Sequence, residues 1–281
     1  MQKEVNELLL DIKQKKKLVA MLAPSFVVNF DYPQIIGQLR ELGFDKVVEL
    51  TFGAKMINRD YHKILENSKN KKGLVISTVC PGIVETVNNV FPEQRKNMIR
   101  VDSPMVAMGK ICKKYYPNHK RVFFSPCTFK IIEAKKTGTI DLVLGCNELK
   151  KILDEKRIKP KKNSKLMFDK FYNDYTKIYP TSGGLSKTAH LKGILKPEEM
   201  KVIDGVADVK KFLEKPNPKI KFLDCTFCIG SCIGGPLNNQ SLTLAQRKKR
   251  IDNYVNVAKK EKMLPNTKGI VKEAKGIKFS Y

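Results

Sequence analysis

The sequence predicts an α/β protein built from two lobes of mostly parallel sheet flanked by helices. Two observations predict it. Short apolar runs of strand length alternate along the chain with stretches of helical spacing, and Pro, Gly or Ser punctuates the ends of the runs.

Residues 18–22 are an apolar run ending in Ala23-Pro24-Ser25, which reads as a buried strand and a loop. Residues 32–42 have helical spacing, and 46–50 form a second strand ending at Thr51-Phe52-Gly53-Ala54. Residues 56–68 are helical, 73–77 form a third strand ending at Cys80-Pro81, and 82–90 begin a helix there. Residues 105–116 are helical, and 121–124 form a strand ending at Ser125-Pro126-Cys127. A strand at 140–144 precedes a helix at 147–154. Short strands follow at 201–203 and 219–223, and 242–262 read as a terminal helix with a basic face. The expected organisation is a single domain with approximate lobes 1–100 and 101–237 and a basic helix and tail at 238–281. Residues 150–165 are the candidate solvated loop or linker between lobes, and no internal repeat interrupts the pattern.

The chain has 281 residues, 42% of them hydrophobic and 29% charged, which argues against wholesale disorder. No apolar run approaches the roughly 18 residues of a membrane span. The N-terminus mixes charge with a Leu-Leu-Leu run and has no signal-peptide h-region, so a soluble, cytoplasmic protein is expected. The 54 Lys and Arg outnumber the 28 Asp and Glu, for a formal charge of +26. The first reading of such charge is nucleic acid. Its make-up points away from it: Arg stands only at 40, 59, 95, 100, 121, 157, 247 and 250, and Arg is the fork that reads phosphate and guanine. Lys in its place, spread along the chain, is also what an AT-rich coding bias produces. An acidic partner is still expected.

The cysteines are Cys80, Cys112, Cys127, Cys146, Cys225, Cys228 and Cys232. An odd number without a secretory signal argues against a disulfide framework. Cys80, Cys127 and the group Cys225, Cys228 and Cys232 each follow a predicted strand, at the sheet edge where parallel folds bind ligands. Three distant segments could thus deliver thiolates to one point. Four thiolates suit an iron–sulfur cluster or zinc, although only one CxxC is present, at Cys225/Cys228. Gly230, Gly234 and Gly235 either let the backbone approach a bulky group or form a plain turn.

In this setting the motifs resemble, in order, those of the H-cluster domain of [FeFe] hydrogenases over residues 17–236. Leu22-Ala23-Pro24-Ser25 is similar to the first pocket segment and Phe52-Gly53-Ala54 to the FGA that follows the second strand. Ser77-Thr78-Val79-Cys80-Pro81-Gly82 resembles TSCCPG, and Ser125-Pro126-Cys127 through Lys130 and Glu133 resembles PCxxKxxE. Ser103-Pro104-Met105, Tyr115-Tyr116-Pro117, Ile140-Asp141 with Glu148-Leu149, and Gly183-Gly184 match further landmarks. Residues 222–236 resemble the third motif, with two cysteines separated by three residues.

The resemblance implies a site between the two lobes. Cys80, Cys127, Cys228 and Cys232 would hold a [4Fe-4S] cluster, and Cys232 would bridge to a two-iron subcluster carrying CO, cyanide and a dithiolate. Together these form the H-cluster, built by hydrogenase maturation enzymes. Lys130 would hydrogen-bond one cyanide, and Ser25 with the backbone beside Pro24 the other. The implied activity is reversible H2 formation in anaerobic hydrogen metabolism. The alternative is a non-turnover H2 or redox sensor, or an iron–sulfur carrier with only the [4Fe-4S] cluster.

The sequence also departs from the pattern. Val79 stands where better-known members carry a proton-passing cysteine, and Ser125 where they carry a methionine. The helix after FGA reads Arg59-Asp60-Tyr61-His62, so Asp60 is a candidate relay or a solvated helix residue. Cys225 is a candidate relay, spare ligand or buried thiol, and Cys112 and Cys146 read as packing. The ferredoxin-like domains common in the family are not found before the first strand. Electrons are therefore expected from an external acidic carrier such as ferredoxin.

Overall fold

The computed structural model describes residues 2–68, 73–161 and 166–281. Its strands are β1 (Leu18–Leu22), β2 (Lys46–Glu49), β3 (Val75–Ile76), β4 (Lys120–Ser125), β5 (Leu142–Gly145), β6 (Met200–Asp204) and β7 (Phe222–Thr226). Its helices are α1 (Gln2–Lys13), α2 (Gln34–Leu42), α3 (Thr51–Ser68), α4 (Pro81–Val90), α5 (Pro104–Tyr115), α6 (Phe129–Thr137), α7 (Cys146–Glu155), α8 (Gly184–Thr188), α9 (Val206–Glu214) and α10 (Leu244–Lys260). The strands assemble into two sheets, β2-β1-β4-β5 and β3-β7-β6, and every pairing is parallel.

The first sheet is buried on both faces, and its period-two alternation sorts residues between them. Val19, Met21, Val48, Phe123 and Val143 pack on one side with α3 and α5. Leu18, Ala20, Leu22, Val47, Val122, Phe124 and Leu144 pack on the other with α2 and α7. The second sheet has its own core, in which Ile76 and Leu223 meet Val87 of α4 and Val209 of α9. The two sheets interleave along the chain instead of dividing near residue 100: β3 leaves the first lobe early to pair with β7, and β4 and β5 return to it.

Several elements differ from the sequence expectation. Helix α3 starts at Thr51 and takes in Phe52-Gly53-Ala54; Gly53 lies against α5, where a β-carbon would sit 2.6 Å from the Pro104 carbonyl oxygen. Helices α1, α6 and α9 were not expected; each mixes lysines into a short apolar pattern. Strand β7 runs to Thr226, held by register with β6 (Ile203 opposite Cys225), so Cys225 lies within the strand and not after it. Of the expected linker, α7 takes the first part to Glu155, Lys156, Lys159 and Lys161 are exposed, and 162–165 lie outside the described residues.

Helix α10 opens with a capping box, Thr243 N–H donating to Gln246 Oε1 at 2.8 Å. It docks through Tyr254 into a fully buried polar cluster. Lys177 Nζ donates to Glu49 Oε2 at 2.9 Å and to Tyr254 OH, which donates to Glu49 Oε1 at 2.8 Å. The Lys177 ammonium lies 4.6 Å from the Tyr172 ring centroid and 5.5–5.6 Å from those of Tyr32 and Phe168. Among the described residues no helix is long and apolar enough to cross a membrane.

Candidate functional site

The carboxyl ends of both sheets supply the cysteine loops. Cys80 is the N-cap residue of α4, with Pro81 at the first helical position, and its sulfur accepts the Phe227 N–H at 3.4 Å. Cys127 follows β4 on a turn shaped by Ser125, whose hydroxyl accepts the Cys127 N–H at 3.0 Å and donates to its carbonyl at 2.9 Å. Cys228 and Cys232 flank a turn in which Gly230 and Ser231 both have positive φ, 78° and 60°. The Gly230 N–H donates to Asp204 Oδ2 at 2.7 Å, and Asn238 Nδ2 donates to the Cys232 carbonyl at 2.8 Å. A β-carbon on Gly235 would lie 2.3 Å from the Pro126 carbonyl oxygen, so only glycine lets the Cys232 loop sit this close to the Cys127 loop.

Cys80, Cys127 and Cys232 line one cavity of about 90 Å³, room for about three water-sized groups. Cys228 lies outside that lining but near it. Burial pushes its thiol up to about 12, reinforced by Cys127 and Cys80. Burial, with Cys80, Cys127 and Cys228 adding to it, also raises the Cys232 thiol. Thiols held protonated in this way ionise when a metal's positive charge meets them. All seven cysteines are free of disulfides. Among the described residues, no three His, Cys, Asp or Glu side chains converge closely enough to hold one metal ion. Thiols gathered from three segments around one cavity, with a single CxxC among them, are a donor set that an iron–sulfur cluster can use.

The cavity carries a second signature. Ser25 Oγ, Tyr179 OH and Thr226 Oγ1 line it, and all three are buried without a protein hydrogen-bond partner. Buried hydroxyls are normally satisfied, so a group that accepts from them fits here. Pro24 lines the same cavity, as does Lys130, whose Nζ donates to Glu133 Oε2 at 2.7 Å. Val79, Pro104, Met105 and Phe123 make much of the remaining wall apolar.

The structure brings Pro24, Ser25, Lys130, Cys80, Cys127 and Cys232 together around this cavity, with Cys228 beside it. Two other candidates lie elsewhere. Asp60 lines a separate cleft beside Arg59 and Lys63, where burial raises its carboxyl despite their charges. Cys225 is fully buried in β7, its sulfur 3.8 Å from Ser77 Oγ, and is absent from the cavity lining. Cys112 and Cys146 are core residues, and burial raises each thiol to about 12. Sequence reasoning missed Tyr179 and Thr226. Tyr179 stands in the stretch containing Gly183-Gly184, so its neighbourhood was marked although its role was not.

The fold is that of [FeFe] hydrogenases. One solved structure, concerned with oxygen inactivation of the H cluster, superposes with a TM-score of 0.73 at 17% identity, covering 94% of this chain and 91% of that one. A structure of HydA1 from Chlamydomonas reinhardtii superposes with a TM-score of 0.71 at 17% identity, covering 95% and 90%. Residues 16–236 match the family model described as iron only hydrogenase large subunit, C-terminal domain, and the chain belongs to that family. Iron hydrogenase 1 of Clostridium pasteurianum is 27% identical over 72% of this chain and 44% of the relative. NADP-reducing hydrogenase subunit HndD of Solidesulfovibrio fructosivorans is 28% identical over 43% of this chain and 24% of the relative. The chain thus spans less than half the length of either curated relative.

Proposed function

We propose that the chain acts as an [FeFe] hydrogenase, in which Cys80, Cys127, Cys228 and Cys232 would hold a [4Fe-4S] cluster and Cys232 would bridge it to a two-iron subcluster. The observation that carries this reading is the group of unpartnered buried hydroxyls, Ser25, Tyr179 and Thr226, around the cavity that Cys232 lines. When bound, the H-cluster would supply the redox chemistry that interconverts two protons and two electrons with H2.

The chain's own residues bind, orient and exclude. Lys130 offers charge-assisted N–H donors to an anionic ligand such as cyanide, and Ser25 offers a neutral donor from the loop after the neighbouring parallel strand β1. The apolar wall keeps bulk water out, which strengthens each of these hydrogen bonds. Electrons enter from an external acidic carrier of the ferredoxin type. Ile229, next to Cys228, is 71% exposed, and Lys187 and Lys248 line a shallow pocket beside the same turn. Maturation enzymes deliver the two-iron part.

The test is infrared spectroscopy of anaerobically matured protein, with H2 evolution from reduced viologen measured in parallel. CO and cyanide stretches together with H2 evolution support the assignment, and Cys232→Ala removes the stretches. Absence of the stretches from the wild-type protein overturns it. Stretches without turnover assign the chain to the sensors.

A further inference from the structure

The cysteine cavity is separated from an outer cleft of about 340 Å³, which Ser103, Asp102, Glu133, Thr78 and Tyr281 help to line. Pro81 lines both spaces and forms part of the wall between them. Through that wall runs one polar seam. Lys130 Nζ, on the cavity side, donates to Glu133 Oε2 at 2.7 Å, and Ser103 Oγ, on the cleft side, donates to the same oxygen at 2.9 Å. Lys130 and Glu133 are only 12% and 14% exposed, and Ser103 is buried. No hydrogen bond joins Lys130 Nζ to a cysteine sulfur among the described residues. Val79, also in the cavity wall, has no group that can carry a proton.

We propose that Ser103, Glu133 and Lys130 form the proton path between the outer cleft and the cavity, with Glu133 as the residue that exchanges protons with the cleft. The proposal rests on the hydrogenase reading, because only a reaction in the cavity needs the protons. Inward, Lys130 releases one N–H proton to an acceptor in the cavity. Its amine regains a proton from Glu133, which Glu133 has taken from cleft water through Ser103. One proton has then crossed, and the ammonium and carboxylate are restored. Outward transfer reverses each step.

The other charged groups that line the cleft are paired. Asp102 accepts from Lys110, and Glu85 from Lys136, which leaves Tyr281 as the further titratable group facing the seam. The carboxylate that bridges cavity and cleft is therefore Glu133.

The test uses matured, full-length protein. Glu133→Gln keeps an oxygen for Lys130 and Ser103 but cannot exchange protons. H2 evolution should fall about a hundredfold, the scale of a lost proton-transfer group. The CO and cyanide bands should keep their positions, and Glu133→Asp should recover part of the rate. Infrared difference spectra of the wild-type protein should show a carboxyl band that shifts in D2O and is missing in Glu133→Gln. A purely structural role for Glu133 moves the cyanide bands and leaves no such carboxyl band. A Glu133→Gln rate within about threefold of wild type, or wild-type spectra without the carboxyl band, overturns the path. If Glu133→Gln does not assemble, Ser103→Ala breaks the seam from the cleft side. A rate loss with a larger solvent isotope effect supports the path, and an unchanged rate and isotope effect overturns it. Wild-type protein without CO and cyanide bands overturns the hydrogenase reading and the path with it.

Discussion

Lys177 is a lysine with no exposed side-chain surface, held between Glu49 and the ring of Tyr254. A buried charge is tolerable only when it is paired and its donors are used, and both conditions hold here. Removing one partner strands the other. Lys177→Met should therefore cost about 3–5 kcal/mol in denaturant unfolding, and the double variant Glu49→Gln/Lys177→Met should recover much of that loss. A single variant as stable as the double would exclude a stranded charge as the cause. Sequence reasoning passed over this cluster because its members are 128 and 77 residues apart, and a lysine among 54 Lys and Arg carries no mark of burial. The cysteine ligand candidates were legible for the opposite reason: thiols are scarce, and their motifs are local.

Among the elements, those made by long apolar runs could be read to within a few residues, as with β1, β2 and α5. Short helices such as α6 and α9 could not, since their stability comes from packing more than from local pattern. Helix α1 shows how such an element is fixed. Its Asp11 is buried yet bonded to Lys120 and Lys16, on the edge of β4 and in the following turn. Burial alone would raise its carboxyl, but the two ammonium groups outweigh it and hold it below the ordinary 3.8. A lowered folded value gives stability that is present above the unfolded value and lost as pH falls through the folded one. Asp11→Asn should cost about 1.5–3 kcal/mol at neutral pH, and the difference from wild type should shrink below about pH 4 in thermal melts. A gap that stays constant at low pH would show that the ion pairs do not anchor α1.

Over the whole molecule, a formal charge of +26 creates a field that extends beyond any one contact. The expected acidic electron carrier should meet it at rates that depend on ionic strength. Ferredoxin-linked turnover should fall about tenfold or more between roughly 50 and 500 mM salt, while turnover with a small viologen changes much less. Equal salt responses would remove steering as the function of the charge. The interleaving of the two sheets has a consequence in time. Val75 of β3 pairs with Phe222 of β7, 222 − 75 = 147 residues later. At roughly 5–20 residues per second of synthesis, β3 waits about 7–30 s on the ribosome before its neighbour exists. During that wait Cys80 and Cys127 are already made, but the turn carrying Cys228 and Cys232 is not. Until then a nascent chain offers only two of the four candidate ligand thiols, and a cluster that needs all four would have to wait until β7 has closed the second sheet.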